Sequence, residues 1–476
     1  MSSYEAVIGL EIHVQLNTNS KIFCACKADS WGDPPNTNIC PVCTGQPGVL
    51  PVPNQAVIDK GVLLAAVMNA DIQQVSYFDR KNYFYPDLPK GYQISQYDLA
   101  IGSGGYMDLP LEDGSTRRVK IEKLHIEEDA GKTIHKPNRR LLDFNRCGVP
   151  LVEMVTAPDL SSADEAADFI KRFRQLLRWI GVSEASMEKG QMRFDANVSI
   201  REKGAKILNP KTEIKNVNSI EHGRDAMKAE IKRQIKEVEA GNKIEAWTLD
   251  WDEDTQTLSK MRSKETEADY RYFKEPDLLA VELSPDHIKE LVESLPELPL
   301  KRESRFIKEY KLPSREAKVL TGEKEVADYF EGILEYYSGK PKQAANWLIN
   351  DLMGMMNELH LSPAELFLTP ERLAEILKLV EDGIINSSTG KDLVRKTQQQ
   401  GQEPRDIVEA EGLGQVTDSA AIKSICKEVI QENPDQVYQY KSGKGGVIGW
   451  LVGQVMAKSG GKADPQAVRE ILEGLL

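Results

Sequence analysis

The sequence predicts an α+β fold: a large, mixed, strand-rich domain, then an all-helical domain, then a small helical C-terminal domain. Three observations predict it. Strict alternation of apolar and polar residues recurs in the N-terminal half. Helical periodicity takes over in the C-terminal part. Between them, Pro296 and Pro299 in LPELPLKRESRF punctuate the change. The expected domains are residues 1–295, 296–405 and 406–476.

In VIGLEIHVQL, Ile8, Leu10, Ile12, Val14 and Leu16 are apolar, while Glu11, His13 and Gln15 are polar. That period of two marks a half-buried strand. QMRFDANVSI repeats it, with Met192, Phe194, Ala196, Val198 and Ile200 on one face and Arg193, Asp195, Asn197 and Ser199 on the other. Further strands are expected at VKIEKLHI, PLVEMV and KTEIKNV. SSADEAADFIKRFRQLLRWIGV reads as a helix. Ser162 and Glu165 suit a capping box, Phe169, Ile170, Phe173, Leu176 and Leu177 form its stripe, and Gly181 ends it. A second helix is expected from Ile220 to Ala240. The helices EVADYFEGILEYY, AANWLINDLMGMMNEL and ERLAEILKLVEDG follow the proline boundary, with shorter ones after residue 405.

A chain of 476 residues leaves room for several cores. With 40% hydrophobic and 28% charged residues, bulk disorder is not expected. No apolar run approaches a membrane span, and the N-terminus has neither a secretory nor a transit pattern. The formal charge of −13 argues against a general polyanion binder. Local basic stretches remain, from Lys301 to Lys318 and from Lys441 through Lys462 to Arg469; a solvated helix face is the plainer reading of each.

Cys24, Cys26, Cys40 and Cys43 form C-x-C-x13-C-x2-C across a loop-like spacer. Clustered cysteines in a long chain without a leader point to a reducing, cytoplasmic setting and a metal site. Two tight pairs suit tetrahedral zinc, held structurally because four protein ligands leave no open position. An iron–sulfur cluster or four separate thiols are the alternatives. Cys147 stands alone, and His125 shows no metal spacing.

The acidic residues are more scattered. Glu11 and His13 share a strand face, Glu127, Glu128 and Asp129 adjoin, Glu153 lies in PLVEMV, and Asp195 lies in MRFDANVSI. Oxygen ligands drawn from several strands suit Mg2+, with phosphate and water completing an octahedron. Taken singly, each reads first as a solvated carboxylate. DRKNYFYPDLPKGYQISQY interleaves Arg80, Lys81 and Lys90 with Tyr83, Phe84, Tyr85, Tyr92 and Tyr97. DYRYFKEPD, beginning at Asp269, is a shorter segment of that kind. Cations among aromatics suit phosphate pairing and base stacking, or an ordinary packed loop. GKT at Gly131–Thr133 lacks the leading glycine of a Walker loop.

Read in order, VIGLEIHVQL, the FCACK and NICPVC segments, DRKNYFYPDLPKGYQISQY, LHIEEDAGKTIH, LLDFNRCGVPLVEMV, MEKGQMRFDANVSIR, TEIKNVNS, DYRYFKEPD, NWLINDL and IGWLVGQVMAKSGGKADPQ resemble the B subunits of bacterial glutamine-dependent aspartyl/glutamyl-tRNA amidotransferases. The resemblance spans the chain. It implies a cradle-shaped catalytic domain that uses ATP to phosphorylate the side-chain carboxylate of Glu-tRNA(Gln) or Asp-tRNA(Asn), before ammonia converts it to the amide. It implies a heterotrimer, with an amidase-type A subunit releasing ammonia from glutamine and a small C subunit. By the same resemblance, Glu11, His13, Glu127, Glu128, Glu153 and Asp195 are catalytic and line the Mg2+ and ATP site. Lys81, Tyr83, Tyr85 and Lys215 contact ATP or substrate. Cys24, Cys26, Cys40 and Cys43 match the zinc-bearing members, and the C-terminal domains hold tRNA. A zinc-stabilised tRNA scaffold without catalysis and a metabolite amide ligase are the competing readings. The acidic set argues against the first, and the helical tail against the second.

Overall fold

A computed structural model of the chain describes residues 3–111, 113–205, 207–263, 270–414, 419–459 and 463–476. Asp269 and residues 460–462, Lys462 among them, lie outside the described residues. The chain forms two compact units, Met1–Leu298 and Pro299–Leu476. Among the described residues no helix is long and apolar enough to cross a membrane.

The first unit is built on a ten-stranded sheet. Its strands, in chain order, are β1 (Tyr4–Gln15), β2 (Asp71–Ile72), β3 (Gly102–Ser103), β4 (Tyr106–Pro110), β5 (Thr116–Glu128), β6 (Pro150–Thr156), β7 (Met192–Glu202), β8 (Thr212–Lys215), β9 (Trp247–Asp252) and β10 (Thr257–Ser263). The spatial order is β10-β9-β8-β7-β1-β6-β5-β3-β2, and β4 pairs with β5. The β8–β9 pair is parallel; the other pairs are antiparallel. β1 is central, paired with β6 on one side and β7 on the other.

The period of two decides what each face meets. Ile8, Leu10, Ile12 and Val14 are fully buried with Val152, Met154, Phe194, Ala196 and Val198. Three helices complete that core: α1 (Gln55–Val67), α2 (Ala163–Trp179) and α3 (Ile220–Glu239). α2 presents the expected stripe, and its N-terminal cap is a variant of the expected box. Ser162 Oγ accepts from Glu165 N at 3.1 Å, but the Glu165 carboxylate returns to Ser161 N at 2.9 Å, not to Ser162. Gly181 takes φ +68 just past the end. In α3, Gly223 faces the Phe194 ring so closely that a Cβ there would collide with it. α1 was not expected from periodicity. It buries residues around most of its circumference (Val57, Ile58, Val62, Leu64, Ala65), so it has no polar stripe to set a period.

The two aromatic segments meet in a small sheet of Asp79–Asn82, Tyr92–Ser95 and Phe273–Lys274, in which Phe273 pairs with Arg80 and Lys274 with Asp79. Arg80 locks this seam through a bidentate pair with Glu275 at 2.7 and 2.8 Å.

The second unit is helical. NWLINDL lies where the Pro341–Trp347 helix runs through a π turn, Leu348–Leu352, into Met353–Leu359. Its last helices share a core of Ile422, Cys426, Val429, Ile448, Leu451, Val455, Val468 and Leu472.

Candidate active site

One face of the large sheet is buried beneath helices, so the polar positions of five adjacent strands are gathered on the other. Register fixes which of them meet. Glu11 stands opposite Asp195, and His13 stands between Glu153 and Arg193. Glu153 in turn stands opposite His125. Residues directly opposite in antiparallel strands have Cβ atoms about 5 Å apart, within side-chain reach.

Two clusters result. In the first, the ligand atoms of His13, Glu127 and Glu153 lie within 4.8 Å of one another. His13 Nε2 is 3.3 Å from Glu153 and 3.9 Å from Glu127. His125 Nε2 backs the same carboxylates at 3.2 and 3.7 Å. In the second, Glu11, Asp195 and Glu213 converge within the same limit. Lys215 Nζ bridges Asp195 at 2.5 Å and Glu213 at 3.2 Å, and Asn197 donates to Glu11 at 3.2 Å.

Electrostatics keep His125, Glu127, Glu153 and Lys215 charged despite burial. Burial alone would push the His125 imidazole down; the charge of Glu153 and hydrogen bonds to Glu127 and Glu153 override it and raise the group to about 9. Burial opposes ionisation of Glu153, yet the charge and hydrogen bond of His125 hold its carboxyl well below the usual range. Glu127 is held low against the same penalty, chiefly by the His125 hydrogen bond. Burial works against the Lys215 ammonium, and Asp195 more than restores it.

The aromatic segments form a wall near the first cluster. Tyr97 stacks on Tyr272 at 4.1 Å, and Tyr83 meets Tyr85 and Tyr270 edge-on at 5.8 and 6.0 Å. Tyr83 donates to Gln93 at 3.0 Å. Burial first, then Glu127, Asp129 and Glu128, push its phenol up, so it stays protonated. Tyr85 is exposed, and Lys81 Nζ sits 5.0 Å from the Tyr270 ring. Beyond Gln15, which donates to Asp129 at 3.1 Å, opens a cavity of about 620 Å3 lined in part by Trp31, Arg146 and Gln191.

Of the acidic residues singled out in the sequence, Glu11 and Asp195 come together, as do His13, Glu127 and Glu153. Glu128 joins neither cluster. Alternation turns it from the face that Glu127 occupies; it pairs with Lys90 and accepts from Ile94 N at 2.9 Å. Glu213 and His125 belong to the clusters and were not anticipated. Glu213 lay unnoticed in KTEIKNV, and His125, two residues before Glu127, carried a strand-face signal that the absence of metal spacing masked.

The thiols of Cys24, Cys26, Cys40 and Cys43 also lie within 4.8 Å of one another. Four sulfurs at about 2.3 Å from one ion would be about 3.8 Å apart, so the cluster fits a tetrahedral metal. A hydrogen bond from Cys24 draws Cys43 down to about 5, while that bond pushes the Cys24 thiol up and burial pushes Cys26 up to about 11, so a metal would have to displace those protons. The loop is laced to the turn before β6: Asn36 donates to Leu142 O at 2.9 Å, and Asn38 N donates to Asn145 at 2.9 Å. Cys147 is buried apart, and burial pushes its thiol up to about 12.

Comparison with known proteins reads the same way. The family model described as the GatB/GatE catalytic domain matches residues 6–289, and the one described as the GatB domain matches residues 328–476. A relative from Persephonella marina, named as the B subunit of an aspartyl/glutamyl-tRNA(Asn/Gln) amidotransferase, is 45% identical over 99% of both chains. Relatives of that name from Thermodesulfovibrio yellowstonii and Pseudothermotoga lettingae are 46% identical over 99% and 45% identical over 100% of both chains. The chain belongs to the family of aspartyl/glutamyl-tRNA(Asn/Gln) amidotransferase B subunits.

Proposed function

We propose that this chain is the carboxylate-activating subunit of a tRNA-dependent amidotransferase, an ATP-dependent carbon–nitrogen ligase. A carboxylate is a poor electrophile with no good leaving group. In the proposed reaction, a side-chain oxygen of Glu-tRNA(Gln) or Asp-tRNA(Asn) attacks the γ-phosphorus of ATP, the bond to the β-phosphate oxygen breaks, and ADP leaves. Ammonia then attacks the acyl carbon, loses a proton, and phosphate departs with the bonding pair. Phosphoryl transfer of this kind asks the protein for positioning and charge neutralisation.

The observation that carries this reading is the pair of clusters of metal-ligating side chains on one sheet face. His13, Glu127 and Glu153 would hold one Mg2+, and Glu11, Asp195 and Glu213 a second. When bound, Mg2+ supplies positive charge against the phosphate oxygens. The chain's own residues do the rest. His125 aims Glu127 and Glu153, and Lys215 spans Asp195 and Glu213. Lys81 faces phosphate, while Tyr83 and Tyr85 screen the reacting carboxylate from water. The aminoacyl end would enter the cavity beyond Gln15. The four cysteines hold structural zinc away from the chemistry, and residues 406–476 contact the tRNA. An amidase-type A subunit supplies ammonia and a small C subunit completes the assembly, in the reducing cytoplasm.

Hydroxylamine tests the intermediate. With ATP, Mg2+ and Glu-tRNA(Gln) or Asp-tRNA(Asn), but no glutamine, the assembled enzyme should yield a side-chain hydroxamate on the tRNA-bound amino acid. Side-chain hydroxamate formed without ATP, or none formed by active enzyme, contradicts the acyl phosphate; α-hydroxamate from direct aminolysis of the tRNA ester bears on neither outcome.

A further inference from the structure

The metal-site loop encloses a lysine with no part in the proposed chemistry. Lys21 is 0% exposed. An ammonium taken out of water needs an anionic partner to offset its desolvation. Lys21 Nζ donates to the backbone oxygen of Asn38 at 2.9 Å and to Cys43 Sγ at 3.7 Å. The first acceptor is neutral; of the two, only the thiol can carry negative charge. Glu128 borders the same corner with Oε2, while Lys90 and Ile94 N hold its Oε1. Gly148 holds the corner open: at φ +79 it brings no side chain between the Lys21 stem and Cys43.

Four thiolates around Zn2+ leave two negative charges in excess. We propose that Lys21 is a positioning residue of the metal site: its ammonium offsets part of that charge and orients Cys43 through an N–H···S hydrogen bond. Groups that orient metal ligands in this way typically govern affinity by 10–100-fold. The proposal rests on reading the four cysteines as a zinc site. With zinc bound, Lys21 tightens the site's hold on it, so part of the stability that zinc confers depends on the lysine.

The test uses the full chain with Lys21→Met, near-isosteric and neutral, and Lys21→Gln. Zinc affinity is read by chelator competition, and melting temperature is read with saturating zinc and after stripping. Both variants should fold at saturating zinc and bind it about 10–100-fold more weakly. The melting-temperature gap between loaded and stripped protein should narrow against wild type. Unchanged affinity with an unchanged gap overturns the proposal, as does failure of both variants to fold at saturating zinc, which would make Lys21 a residue of the fold itself. Wild-type protein that binds no zinc would instead overturn the zinc reading.

Discussion

Glu127 and Glu128 adjoin in the chain but serve opposite faces of β5, so one substitution at each separates chemistry from architecture. Glu127→Gln should lower tRNA-dependent ADP formation by about 100-fold or more, the usual cost of removing a preorganised charge from a reaction centre. Glu128→Gln should leave much more activity and act mainly on stability, through the Lys90 pair and the Ile94 hydrogen bond. Steady-state ADP assays with thermal melts decide it; equal losses of activity at unchanged stability would contradict the assignment. Alternation alone puts Glu11 and His13 on the polar face of one strand and Asp195 on the polar face of another; only the family resemblance marks them as site residues. Their grouping was not legible, since it depends on register, which local pattern does not encode. That is why Glu213 went unnoticed and Glu128 was grouped with its neighbour.

Long, one-sided elements announce themselves; short or fully buried ones do not. β1, β7 and α2 each carry a clean period, so their residues declare strand or helix. α1 is wrapped in apolar residues, and β2 and β3 are only two residues long, too short to show a pattern. In the second unit, the helix Pro299–Glu309 is tied to Lys324–Tyr336 by Arg302, which binds Glu331 and Asp328 at 2.5 and 2.6 Å, and by Arg305, which binds Glu331 at 2.7 Å. Burial opposes the Glu331 charge, while hydrogen bonds from Arg305 and Tyr310 and the charge of Arg302 bring its carboxyl below the usual range. A carboxyl lowered in the folded state stabilises that state above its ordinary value near 4.5, and the gain is lost as pH falls. Glu331→Gln should therefore cost about 2 kcal/mol at pH 7. The deficit against wild type should shrink as the pH is taken below about 4.5. Urea denaturation across that range reads it; a deficit independent of pH would rule out the ionic origin.

The chain forms two compact units. In the first, Asn38 of the cysteine loop hydrogen-bonds to Asn145 in the turn that leads into β6, so a metal held there would brace the strand that carries Glu153. Cys40→Ser should lose bound zinc and melt roughly 5 °C lower or more, with residual activity where it still folds. Lost activity at unchanged zinc content and stability would place the zinc in the chemistry. In the second unit, the last helices own a separate core, so deleting residues 415–476 should leave the remaining helices folded, as read by circular dichroism and limited proteolysis. The truncation should sharply raise the tRNA concentration needed for half-maximal rate; an unchanged requirement would mean that the tail does not hold tRNA. The most direct test of the whole account is ADP formation by the assembled complex with ATP, Mg2+ and glutamine, with and without Glu-tRNA(Gln) or Asp-tRNA(Asn), in wild type and in Glu11→Gln. Hydrolysis that requires the misacylated tRNA and collapses in the variant is the predicted result. Hydrolysis that ignores the tRNA, or survives in Glu11→Gln, would contradict an acidic sheet face that activates the carboxylate.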